Sequence, residues 1–205
     1  FGAMKRWPAF CFAVAAAMLI GRAEASAQAT PAPPDNAQTS TPDASKGMAS
    51  LFDRLAKAED EDEAKGIANL IERRWLRSGS DVTDLLMARA TSAMQQKDQD
   101  LPQAVELLDR VIRLEPDWAE AYNRRATAFF MLGDYERSML DVRQALAREP
   151  RHFGAVAGLA QILLITGDKK NALEAFRRVL ALNPKMPSVR AVVEKLEPEV
   201  MGRDT

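Results

Sequence analysis

Residues 119–152 read AEAYNRRATAFFMLGDYERSMLDVRQALAREPRH, and this stretch decides the fold. Tyr122, Ala126 and Phe129 fall at i, i+4 and i+7, the spacing of one helix face. Leu132-Gly133-Asp134 interrupts the pattern. Ser138, Val142 and Ala145 then repeat the same spacing, and Pro150 ends the run. The pattern predicts two antiparallel helices. A small residue on each, Ala126 and Ser138, lets the helices approach closely.

The stretch resembles the tetratricopeptide repeat (TPR). The resemblance rests on Tyr122, Ala126, Phe129, Gly133, Tyr135, Ser138, Ala145 and Pro150. Periodicity supports it: Pro116, Pro150 and Pro184 recur at intervals of 34 residues, the length of one such unit. Three units follow in this register, 85–118, 119–152 and 153–186. In the first, Gln95 stands at the place of the aromatic residue and Gln99 at the place of the turn glycine. Its second half fits well, with Ala104, Leu108, Val111 and Leu114 in line. The third carries Leu159, Ala160, Leu163, Gly167-Asp168, Ala172 and Phe176. In the middle unit Arg125 replaces the leucine that Leu159 supplies in the third. A long arginine stem can pack while its head reaches water.

Segments outside the units complete the expected organisation. Lys5-Arg6, an apolar run from Trp7 to Ile20 and overlapping Ala-x-Ala triplets between Ala23 and Ala29 form a secretory signal pattern. The run is shorter than the roughly 20 residues of a comfortable span. The expectation is a signal peptide over 1–27, starting at Met4 and cleaved after Ala27, with an uncleaved anchor as the alternative. Cys11 lies within it and is the sole cysteine, so cleavage would leave no thiol for disulfides or catalysis. Residues 28–46, with Thr30-Pro31-Ala32-Pro33-Pro34, read as a disordered linker; a Pro-rich recognition segment is the other reading.

Residues 47–79 read as a degenerate hairpin capping the start of the array, with helices over Met48–Ala58 and through Ala64, Ile67, Ala68, Ile71 and Trp75. The run Glu59–Glu63 fails the calcium-loop pattern and suits a helix N-terminus. Residues 80–186 hold the three repeats, with Ser80 as the first helix cap. Residues 187–205 supply a terminal helix, apolar at Val189, Val192, Val193 and Leu196 and polar at Arg190, Glu194 and Lys195. The fold class is therefore all-α, a solenoid of helical hairpins.

Little in the chain advertises chemistry. Net charge is −1 among 28 basic and 29 acidic residues, which gives no global field for nucleic acid. Arg73-Arg74-Trp75 and Arg77 read as a core tryptophan with arginines on the wet side. His152 is the single histidine and reads as a surface linker residue. With it alone, neither a transition-metal site nor a catalytic triad is implied, and there is no phosphate loop or other cofactor motif. Trp118 reads as packing between units, with an exposed anchor for a partner as the alternative, and Met131 and Met139 read as contacts.

The resemblance implies binding and no enzyme activity. Such arrays hold an extended peptide or a partner helix on a concave face lined by the first helix of each hairpin. Carried onto this register, the face presents Arg89, Ala93 and Gln96 from the first unit. It presents Asn123, Arg124, Thr127 and Phe130 from the second, and Ala157, Gln161 and Leu164 from the third. Gly154 and Gly158 would leave room for a partner backbone. The Lys/Asn carboxylate clamp of chaperone-binding relatives is missing, with Ala93 and Arg124 where asparagines belong. Arg89 and Arg124 are left either to hold an acidic group or to pair with neighbouring acids. The expected role is a periplasmic adaptor or scaffold of the cell envelope, with a chaperone-like holder of exported or outer-membrane chains as the alternative.

Overall fold

The computed structural model describes residues 42–202, Lys97 excepted. The expected signal peptide and the linker up to position 41 lie outside the described residues. Within them the chain is helical throughout: α1 Pro42–Ala56, α2 Glu61–Trp75, α3 Asp81–Gln95, α4 Leu101–Leu114, α5 Ala119–Met131, α6 Tyr135–Arg148, α7 Phe153–Ile165, α8 Lys169–Leu182 and α9 Pro187–Met201. Helix α1 starts at Pro42, so the end of the stretch expected to be linker is helical instead.

The second helices of the three units start alike. Asp100, Asp134 and Asp168 each accept a hydrogen bond from the backbone N–H three residues on. Each satisfies a donor that the helix cannot satisfy itself. Gly133 and Gly167 turn the chain just before, at φ 77° and 88°, a region costly for any side chain. Helix α2 starts on Asp60, whose carboxylate accepts the Glu63 N–H at 2.8 Å. The acidic run is thus a helix start.

Adjacent helices pair as hairpins, α3 with α4, α5 with α6 and α7 with α8, and α4–α5 and α6–α7 contacts join the units. The first helices also touch across units, α3 with α5 and α5 with α7, whereas no backbone approach of that extent joins α4 with α6 or α6 with α8. An array whose first helices converge while its second helices spread apart is curved, with α3, α5 and α7 inside. Ala90, Ala126 and Ala160, all nearly inaccessible, keep the paired helices close. The Ser138 hydroxyl donates to the Ala126 carbonyl at 2.7 Å. Helix α9 closes the last unit with Val189, Val193 and Leu196 buried.

Two expectations are corrected. The first unit is not 34 residues long throughout. The Asp100 N–H bonds the Ala93 carbonyl as Asp134 bonds Phe129 and Asp168 bonds Leu163. Ala93, not Gln95, therefore occupies the place of Phe129. The link between α3 and α4 is Gln96–Asp100, two residues longer than Leu132–Asp134. Without a turn glycine the chain takes a longer route, which shifts α3 by two positions.

The second correction concerns the N-terminal hairpin. It does not continue the stack, because α2 does not pack along α3. Its core of Leu51, Phe52, Leu55, Ile67, Ile71 and Trp75 instead extends to Phe153 and Leu182, of the third unit. Helix α1 packs on α8. The Lys185 ammonium donates to the Glu59 carbonyl at 2.8 Å. The hairpin covers the edge of the array where α5 and α7 begin and α8 ends.

Candidate functional site: the inner face and its N-terminal edge

The inner face is built from α3, α5 and α7. Asn123, Arg124, Thr127 and Phe130 on α5 and Ala157, Gln161 and Leu164 on α7 are all half-buried. That exposure suits side chains lining a curved surface. The Thr127 hydroxyl donates to the Asn123 carbonyl at 2.9 Å. Phe130 leans on Tyr135, with ring centroids 5.5 Å apart.

The residues expected from α3 do not join this row. Ala93 is 3% exposed and packs with Met87, Ala90 and Leu108, so it belongs to the core. Arg89 and Gln96 are exposed. The two-residue shift puts Met87, Thr91 and Met94 at the places of Asn123, Thr127 and Phe130. Met87 and Met94 are buried, which leaves Thr91, half-buried, as the α3 residue of the row.

At the N-terminal end of α5 lies a polar cluster that sequence reasoning missed. Glu120 is 3% exposed and His152 2% exposed. The Glu120 carboxylate accepts from Arg124 Nε at 2.5 Å and from Asn123 Nδ2 at 3.0 Å. His152 Nε2 lies 2.8 Å from it. The Ala155 N–H points at His152 Nδ1 at 3.2 Å, which requires a lone pair there. The ring proton therefore sits on Nε2 and is donated to Glu120. His152 caps α7 with one nitrogen and ties it to α5 with the other. Arg124 is held by an acid of its own helix, so it is not a free anchor.

Burial alone would raise the Glu120 pKa. The Arg124 charge and the His152 hydrogen bond outweigh burial and hold it at about 2. Glu72, on α2, is pushed above its ordinary value by burial and by the Glu120 charge, with Arg124 and His152 pulling the other way. A buried His–carboxylate pair also occurs in hydrolases. Here both ring nitrogens are engaged, and the Trp75 indole stacks on the imidazole at 4.0 Å. No nitrogen is left to act as a general base.

Arg125, on the opposite side of α5, has the acidic partners that the sequence left unread. Its Nε and Nη2 form a two-pronged bond to Asp141, both at 2.7 Å, and Nη1 reaches Asp109 at 2.7 Å. The hydrogen bond to Asp141 leads the effects that raise its pKa. One guanidinium thus joins α4, α5 and α6. The periodic prolines are joined similarly, Pro116 O accepting from Arg148 at 2.8 Å and Pro150 O from Arg178 at 2.6 Å. Trp118 is half-buried, and its Nε1–H donates to the Trp75 carbonyl at 2.7 Å.

Comparison with known proteins agrees with this architecture. The family model described as "Tetratricopeptide repeat" matches residues 87–142 and 140–187. A TPR repeat-containing protein of Rhizobium etli is 41% identical over 155 residues, covering 76% of this chain and 75% of that protein. Small glutamine-rich tetratricopeptide repeat-containing protein 2 of Saccharomyces cerevisiae is 27% identical over 62% of this chain, which spans only 36% of that protein. Among solved structures, the first TPR of Spaghetti (RPAP3) bound to an HSP90 peptide has a TM-score of 0.54 at 17% identity, over 58% of this chain and 93% of that one. The Sgt2 TPR domain of Aspergillus fumigatus has a TM-score of 0.55 at 20% identity, over 61% and 83%. At these identities the likeness is one of fold. A repeat-family match, a relative sharing three quarters of its length and an array of helical hairpins lead to one conclusion: the chain belongs to the tetratricopeptide repeat family.

Proposed function

We propose that this protein is a non-catalytic adaptor that holds a protein or peptide partner on its inner face. The observation that carries the reading is the row of half-buried side chains on α5 and α7, among them Thr127, Gln161 and Leu164. Gly154 and Gly158 are not demanded by packing: a Cβ would meet the His152 ring at 3.4 Å at the first and Val142 at 3.8 Å at the second, both ordinary contacts. Solved relatives in this fold carry chaperone peptides, as in the HSP90 complex above and the Hsp70 complex of yeast Sti1. The pairing of Arg124 with Glu120 and the absence of the clamp asparagines argue for a different ligand here.

The signal-like N-terminus supports export, and with it a periplasmic scaffold in cell-envelope assembly or integrity. No helix among the described residues is long and apolar enough to cross a membrane. A chaperone-like holder of exported polypeptides is the second reading, favoured by the apolar end of the face at Phe130, Leu164 and Ile165. Fractionation followed by crosslinking and pull-down from the native compartment separates them. A scaffold recovers one stoichiometric partner and a holder recovers many unrelated clients. Retention in the cytosol would refute the periplasmic assignment.

A further inference from the structure

The face by which each repeat stacks on the one before it is covered in the second and third units and open in the first. On α5 that face holds Ala121, Arg125 and Ala128. Both alanines are inaccessible and lie in the core of the first unit. Arg125 crosses the same joint to Asp109 on α4. On α7 the face holds Ala155, Leu159 and Ile162. Ala155 packs with Tyr122 and Ala145, and Ile162 with Ala126 and Val142.

With Ala93 at the place of Phe129, the corresponding residues of α3 are Leu85, Arg89 and Ser92. All three are exposed, Leu85 at 55%, and so is the neighbouring Val82 at 65%. The N-terminal hairpin does not cover them, because its apolar core is turned to Phe153 and Leu182. Among the described residues, α3 thus keeps a stacking surface with no unit on it.

The charges on this surface select its occupant. Asp81, Leu85 and Arg89 stand at i, i+4 and i+8 on one stripe of α3, with the leucine midway. Asp81 and Arg89 are exposed, and among the described residues neither has an ion pair. About 12 Å of helix separates them, so they do not pair with each other. A second α3 laid antiparallel, with the two-fold axis at Leu85, sets leucine on leucine. Each Asp81 then faces Arg89 of the partner subunit, and each Val82 faces Ala88 of the partner subunit. A parallel α3 would set acid on acid and base on base. The stripe is self-complementary in the antiparallel orientation, as a closed two-fold contact requires.

We propose that this face is a dimer interface: two copies of the chain pair through antiparallel α3 helices, with Leu85 at the axis and an Asp81–Arg89 ion pair on either side. The pairing is independent of what the inner face binds. It gives Arg89, which lies off the inner row, an acidic partner in a second copy. One helix face from each copy makes a small interface, so the dimer is weak and reversible.

The test is sedimentation equilibrium of the full chain over a concentration series reaching into the high micromolar range. Wild type is expected to reach a dimer and stop there, because a two-fold contact closes. Arg89→Glu opposes acid to acid at both ends, and Asp81→Arg opposes base to base. Each should weaken the dimer about tenfold or more at low salt. The two substitutions together reverse both pairs and should restore the dimer to within about threefold of wild type. A second readout does not depend on charge. In a Cys11→Ser background, Leu85→Cys should form a disulfide-linked dimer on oxidation, whereas Leu140→Cys, exposed on α6, should stay single. A monomer at every concentration, a dimer indifferent to Arg89→Glu, or a double variant as weak as the single ones overturns the proposal. Equal disulfide trapping at both positions does so too.

Discussion

The Trp75 indole lies flat on the His152 imidazole, ring centroids 4.0 Å apart and planes 12° from parallel. One ring ends α2 and the other starts α7, so the pair joins the N-terminal hairpin to the third repeat. Beneath it His152 is bonded to Glu120, and Glu120 to Arg124.

Glu120→Ala removes one partner of a buried ion pair and leaves Arg124, 14% exposed, without it. The loss should be about 3–5 kcal/mol, read from urea unfolding. A change below about 1 kcal/mol would mean that the cluster does not hold α5 to α7.

Acid should show the same cluster. The Glu120 pKa in the fold is about 2, below the ordinary 4.5. Its stabilisation is therefore present above pH 4.5 and is lost as pH falls from there towards 2. Glu72 has the opposite sign: its pKa is raised, so its protonation favours the fold and that gain is lost as pH rises. Melting curves of Glu120→Gln should show a smaller loss in acid than wild type, and Glu72→Gln should lack the gain on mild acidification.

Arg125→Leu restores the leucine common at this place in the family, yet it should destabilise the protein by about 3–5 kcal/mol. The cause is Asp141, whose side chain is 6% exposed and would lose its charged partner. The double variant Arg125→Leu with Asp141→Leu should recover most of the loss. Equal melting temperatures for the single and double variants would contradict this.

Phe129→Ala should cost about 3–5 kcal/mol, because the ring is 6% exposed and sits under the Arg137 guanidinium at 4.4 Å. Ala126→Leu, next to Val142 and Ile162, should cost about 1–3 kcal/mol by overpacking. Unchanged melting in both would refute the register of the middle unit.

The middle unit was legible because its aromatic, alanine and glycine positions coincide with one helix period and one turn. The first unit misled for a local reason. Gln99 was visible where a glycine belongs, but the two-residue extension that compensates for it changes no residue pattern within α4. Ala93 therefore reads as a groove residue in sequence and is core in the structure. His152 misled for a different reason. A lone histidine after Arg151 looks like surface, and only tertiary structure brings Trp75 over it and Glu120 under it. One signal was available: Glu120 and Arg124 stand four apart on one helix, the spacing of an ion pair. The hairpin's place was not legible at all, since an apolar stripe on α2 suits any neighbour.

The most direct test of partner binding on the inner face is site-specific photocrosslinking in the native host. A photoreactive residue at Thr127 or Gln161 on the inner face is compared with one at Leu140, which is 54% exposed on α6 in the outer layer. The account predicts discrete crosslinked products from Thr127 and Gln161 and none from Leu140. Products from Leu140 alone, with none from the inner face in folded protein, would contradict it.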